Sequence, residues 1–167
     1  MPDMRDAMRG AGFRGATPQG NRRSGPPASE AGDRGHAVNP FPPGYPRYLT
    51  DDGHTRVELI TAEAENLAAR FEADKLKRHQ LRSFYDHAKR QLRRLTCGAP
   101  FGEVHPEIAR LKAFAADRYG RADNALPKSF KDFIDRNVDA VTDAASFQKG
   151  FMPHFEAVVA YCARIKD

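Results

Sequence analysis

Over residues 51–167 the apolar side chains recur every three or four positions and nowhere alternate with a period of two. That spacing places them on one face of successive helices and leaves no pattern for a half-buried strand. Val57, Ile60, Ala64, Leu67 and Phe71 form a first stripe, and Leu81, Phe84, Ala88, Leu92 and Leu95 a second. Ile108, Leu111, Ala115 and Tyr119 form a third; Phe130, Phe133, Ile134, Val138 and Val141 form a fourth. Phe147, Phe151, Phe155, Val158, Cys162 and Ile165 complete the series. Pro106 and Pro127 suit first-turn positions, where a missing N–H costs little. Gly98 and Gly120 fall where the second and third helices should end. Pro153, with Gly150 before it, should kink the last helix. The pattern predicts an all-α fold, a five-helix bundle with a kinked last helix.

The first 50 residues read differently. They hold 8 of the 13 glycines and 8 of the 12 prolines, and their only Leu, Ile, Val or Phe residues are Phe13, Val38, Phe41 and Leu49. Such a segment has too little apolar surface to offset the entropy of ordering it. It reads as a disordered arm over 1–50, with the helical domain over 51–167. Seven arginines against four acids make the arm mildly basic. The run Asn39 to Tyr48 adds local polyproline character.

Composition also removes several function classes. Cys97 and Cys162 are too far apart for a zinc ribbon and read as reduced thiols of a cytoplasmic protein. The first ten residues have no apolar core of the kind a secretory signal needs. The longest small-to-apolar run, Ala157 to Ala163, is too short to span a membrane, so no membrane association is expected. No phosphate-binding glycine loop and no nucleophile elbow is present. The histidines lack ligand spacing. Asp132, Asp135, Asp139 and Asp143 line one helical face, which suits a solvated or docking face better than a metal cage. No catalytic residue, metal or cofactor is expected. Asp135 and Asp139 are expected to approach basic residues of a neighbouring copy or subunit.

Charge is concentrated between Arg70 and Arg94. This stretch holds nine basic residues against Glu72, Asp74 and Asp86, whereas the whole chain carries only +5. Arg78, Arg82, Lys89 and Arg93 lie at i, i+4, i+11 and i+15, on a different side from the second apolar stripe. Cations spaced in this way along a helix follow a phosphate backbone without reading bases. An ordinary solvated face is the alternative.

Three segments resemble a known family. Leu76-Lys77-Arg78-His79-Gln80-Leu81-Arg82-Ser83-Phe84-Tyr85 resembles a signature of the small subunit of type III-A CRISPR effector (Csm) complexes. Gly120-Arg121 resembles the end of that family's middle helix, with Asp117 where the family usually has tyrosine. Phe151 to Tyr161 resembles its last helix. The resemblance covers roughly residues 56–166. It implies a non-catalytic subunit of an antiviral complex, stacking as a short filament along the guide–target RNA duplex and helping to monitor complementarity. The implied partners are the guide and target RNA backbones, other Csm subunits and further copies of the chain. Charge pattern and resemblance together nominate Lys77, Arg78, Gln80, Arg82, Lys89, Arg93 and Arg121 as RNA contacts. A helical adaptor whose basic face docks an acidic protein stays open. A helix-turn-helix DNA regulator fits less well, because the basic row lies on a long helix.

Overall fold

Seven fully buried phenylalanines, Phe71, Phe84, Phe130, Phe133, Phe147, Phe151 and Phe155, set the centre of the molecule. In the computed structural model, which describes residues 41–164, they come from four helical runs and meet both edge-on and stacked, as Phe151 stacks on Phe155. Ring centroids are 5.3 Å apart for Phe71 and Phe130, 5.3 Å for Phe84 and Phe130, and 5.4 Å for Phe133 and Phe155. Each ring contributes about 2–3 kcal/mol by leaving water, and edge-to-face pairing adds to it.

The helices are α1 (Val57–Ile60), α2 (Ala62–Ala73), α3 (Arg78–Thr96), α4 (Phe101–Tyr119), α5 (Lys128–Asp139) and α6 (Met152–Tyr161). A π-helical segment, Ser146–Phe151, leads into α6, and a 3₁₀ turn, Cys162–Arg164, follows it. The described residues are mainly helical and contain no strand, as the periodicity predicts. α4 packs on α3 and α5, and α6 packs on α2 and α3.

The helix ends follow the chain's local chemistry. Gly98, at φ +96, closes α3: its N–H bonds to Leu95 O, and Ala99 N–H reaches Arg94 O. That pair of bonds satisfies two of the last helical carbonyls. Lys75, at φ 61, does the same for α2, its N–H on Glu72 O and Leu76 N–H on Phe71 O. Pro127 is the residue that leads into α5. Pro106 differs from its expected first-turn place. α4 begins at Phe101, after Pro100, so Pro106 lies inside it.

The last helix departs from α-geometry at Gly150, in its π-helical entry, and Pro153 stands just beyond, in the first turn of α6. Pro153 has no N–H for the carbonyl of Lys149, four residues back. That carbonyl instead accepts the Thr55 hydroxyl at 2.5 Å. The departure from regular helix thus creates an attachment point for the chain's N-terminal side.

That attachment corrects the expected boundary at residue 50. Phe41, Tyr45 and Tyr48 are buried in the same core as the helices. The part of the expected arm at 1–40 lies outside the described residues. Tyr48 donates to the carbonyl and side-chain oxygens of Asn137, both at 2.9 Å. The Asn137 amide donates to the Tyr45 hydroxyl at 2.8 Å. Tyr45 O–H in turn reaches His154 Nε2 at 2.6 Å, and His154 Nδ1 donates to Leu59 O at 2.6 Å. Because Nδ1 must donate to a carbonyl, Nε2 is the acceptor and the imidazole is neutral. Every polar member of this buried chain has a partner, which is the condition for burying it at low cost.

The first stripe is also corrected. The helical path breaks at Thr61 (φ −120, ψ −103), so Leu59 turns inward while Val57 and Ile60 are exposed. Tyr119 of the third stripe is exposed as well. Ile165 lies outside the described residues.

Two predictions arise from this packing. A Cβ on Gly150 would fall inside contact distance of Cβ and the ring of Tyr48. Tyr48 cannot retreat, because its hydroxyl is held by Asn137. Gly150→Ala is therefore expected to cost about 2 kcal/mol, measured as a lower urea midpoint at unchanged slope; Gly102→Ala, with open space at that position, is the control.

Burial lowers the His154 pKa from 6.5 to about 4, against a smaller upward pull from its bond to Leu59. The unfolded chain then binds a proton that the folded chain refuses. Stability from this group is complete above pH 6.5 and is lost as pH falls toward 4. Between pH 7 and pH 5 the loss is about 2 kcal/mol. Denaturation at both pH values should show it in the native chain, and His154→Gln should flatten the difference.

Candidate nucleic-acid interface

α3 is long because Leu81, Phe84, Ala88, Leu92 and Leu95 give it one apolar side. Gln80, His87 and Gln91 are buried at the edge of that side. Its opposite side carries the cations. Lys77, Arg82, Lys89 and Arg93 are exposed, and Arg78 is half-buried. Lys77, Arg78, Arg82 and Arg93 have no carboxylate partner among the described residues. From Arg78 to Arg93 the row runs about 22 Å along the helix axis, at about 1.5 Å per residue.

Lys89 stands apart from that row. Its ammonium donates to the Tyr85 hydroxyl at 3.2 Å and lies 3.9 Å from Glu156. Tyr85 O–H donates to Glu156 Oε1 at 3.1 Å. Burial, above all, pushes the Tyr85 pKa up; the hydrogen bond to Tyr85 does most to raise that of Lys89. The segments of α3 and α6 that carry the family resemblance thus meet at one charged junction. The basic row is interrupted there.

Gln80 also differs from its nominated role. Its Oε1 accepts the Lys77 backbone N–H at 3.1 Å, and its Nε2 donates to Asn124 O at 2.9 Å. It is 3 % exposed. Both ends of its amide are used, so it caps α3 and anchors the loop after α4 rather than facing solvent. Arg121 is exposed and bonded to Asp117 Oδ2 at 2.5 Å.

Three further arginines, none nominated as a contact, lie beside these residues. Arg118 bonds to Ser83 Oγ and lies over the Phe84 ring, 5.0 Å from its centroid. Arg90 reaches His87 Nδ1 at 3.3 Å, and Arg94 reaches Gln91 Oε1 at 3.1 Å. Arg118 comes from another helix, so its approach to α3 carries no local sequence signal. Together with His79, Ser83, Arg121, Asp123 and Asn124 it lines a cleft of about 250 Å³ between the start of α3 and the end of α4.

The acidic row on α5 is already occupied. Asp132 pairs with Lys128 at 2.5 Å, Asp135 with Lys131 at 2.6 Å and Asp139 with Lys112 at 2.5 Å. Asp143 accepts the Ser146 N–H at 2.7 Å, which holds its carboxyl below the usual range. Asp135 and Asp139 are therefore poor candidates for docking a second copy, since their charges are met within the chain. Among the described residues no group of three or more His, Cys, Asp or Glu could hold a metal ion. No described helix is long and apolar enough to cross a membrane.

In comparisons with curated proteins and with solved structures, nothing matches the chain. The family model described as Csm2 Type III-A matches residues 54–166. This match spans more than half the chain and covers all six α-helices together with the basic face, the charged junction and the cleft. The chain belongs to the Csm2 type III-A family, structural subunits of a multi-subunit CRISPR effector complex.

Proposed function

We propose that the chain is a non-catalytic RNA-binding subunit that lays the exposed side of α3 along the phosphate backbone of guide or target RNA in the cytoplasm. One observation carries the reading: the half-buried Arg78 and the exposed Arg82 and Arg93 share one side of α3 without acidic partners among the described residues, whereas the aspartates of α5 are matched. Cations left unmatched on a rigid helix suit a polyanion. Lys77 extends this row at its N-terminal end. Lys89, paired with Glu156, and Gln80, a cap, contribute to its position instead. Family membership supports stacking of several copies along the guide–target duplex, where the weak contacts of one copy add up.

Affinity purification of the tagged chain from its host, followed by sequencing of the bound RNA, tests the proposal. A uniform guide species with its target is expected. Recovery of protein partners without RNA would favour the adaptor reading, in which the same basic side docks an acidic protein.

A further inference from the structure

We propose that the cleft between the start of α3 and the end of α4 receives one unpaired nucleobase from the strand held along α3. The inference rests on the RNA-binding reading and goes beyond it, because a phosphate track alone is indifferent to bases.

The size and lining of the cleft suit a base. About 250 Å³ accommodates a single planar heterocycle and excludes a duplex. Arg118 is fixed before any ligand arrives: Ser83 accepts from it while donating to Gln80 O at 2.8 Å, and Phe84 supports the guanidinium plane. A guanidinium has five N–H donors, and the Ser83 contact uses one group. Unstacked RNA bases are commonly held on arginine planes and hydrogen-bonded along their edges.

Asp123 argues for a base over a phosphate. It is exposed on the cleft wall and has no cationic partner among the described residues. Its carboxylate would repel a phosphate but would accept N–H groups. Arginine donors beside a carboxylate acceptor match guanine, which offers O6 and N7 as acceptors and ring and amino N–H groups as donors.

The wall itself is built. Asn124 adopts φ 56, a left-handed conformation that asparagine tolerates better than most residues. Gln80 holds it there through its carbonyl, and Leu126 N–H closes the loop on Arg118 O at 3.0 Å. The Asn124 amide then lies 3.5 Å from His79 Nε2, across the cleft mouth. A buried glutamine, a left-handed asparagine and a braced arginine thus converge on one small polar space at the end of the basic row.

Fluorescence anisotropy of the full-length chain at low salt tests this with ten-nucleotide oligouridine RNAs carrying a central guanosine or a central abasic site. The guanosine RNA should bind about tenfold tighter. Asp123→Ala should cut that preference several-fold while both RNAs still bind. If the native chain binds both equally, the cleft takes no base, and the phosphate track stands alone. If Asp123→Ala tightens both RNAs and keeps the tenfold ratio, Asp123 acts only as a surface charge and the inference fails. Failure of the native chain to bind either RNA even at near-millimolar concentration and low salt, where the weak contacts of one copy register, overturns the RNA reading and the cleft together.

Discussion

Removing residues 1–50 is expected to abolish cooperative unfolding, whereas removing residues 1–40 should preserve it. The second truncation keeps every contact described above; the first deletes Phe41, Tyr45 and Tyr48 from the core. Losing one buried aromatic side chain costs about 3–5 kcal/mol, against a total stability of about 5–15 kcal/mol for an ordinary domain. The shorter chain also strands polar groups. Asn137 loses both tyrosine partners, and His154 Nε2 loses its donor. Buried groups without partners add their own desolvation penalty. Thermal melting followed by circular dichroism checks this. Midpoints within a few degrees of each other for the two truncations would mean that residues 41–50 contribute little and that the domain begins near residue 51 after all.

This expected result also marks where the sequence was hardest to read. Composition averaged over 50 residues conceals three aromatics at 41, 45 and 48. Counting Leu, Ile, Val and Phe leaves both tyrosines out. Their spacing of four and three residues was visible, but the prolines between them exclude a helix and hide the shared direction. The packing needs partners from distant positions, Asn137 on α5 and His154 on α6, and no local pattern announces those. The stripes on α3 and α5 were legible because each lies on an uninterrupted helical face, and that of the last helix survives its π-helical entry, with Phe147 and Phe151 buried beside Phe155. The first stripe misled at Val57 and Ile60, because the break at Thr61 changes the helical phase and brings Leu59 inward.

The candidate interface was legible in part for a related reason. Charge at helical spacing shows which side chains share a side, and Arg78, Arg82 and Arg93 do so. It does not show which of them tertiary structure neutralises. Lys89 meets Glu156 only because α6 packs beside α3. Gln80 turns inward because the loop after α4 offers it the carbonyl of Asn124. Arg118 enters from α4 for the same reason, and so the cleft became visible only in the fold.

Binding of target RNA by the reconstituted complex, measured across salt concentrations with native and Arg78→Ala/Arg82→Ala/Arg93→Ala subunits, tests the RNA track most directly. Each charge-assisted phosphate contact is worth about 1.5 kcal/mol, so losing all three should weaken binding about a thousandfold at low salt. The log–log slope should flatten by about 0.7 per contact, or about 2 for the three. Lys89→Ala, which removes a cation already matched by Glu156, should change the slope little. Equal slopes for the native and triply substituted complexes, with assembly intact, would contradict the RNA track and leave the basic side of α3 to a protein partner.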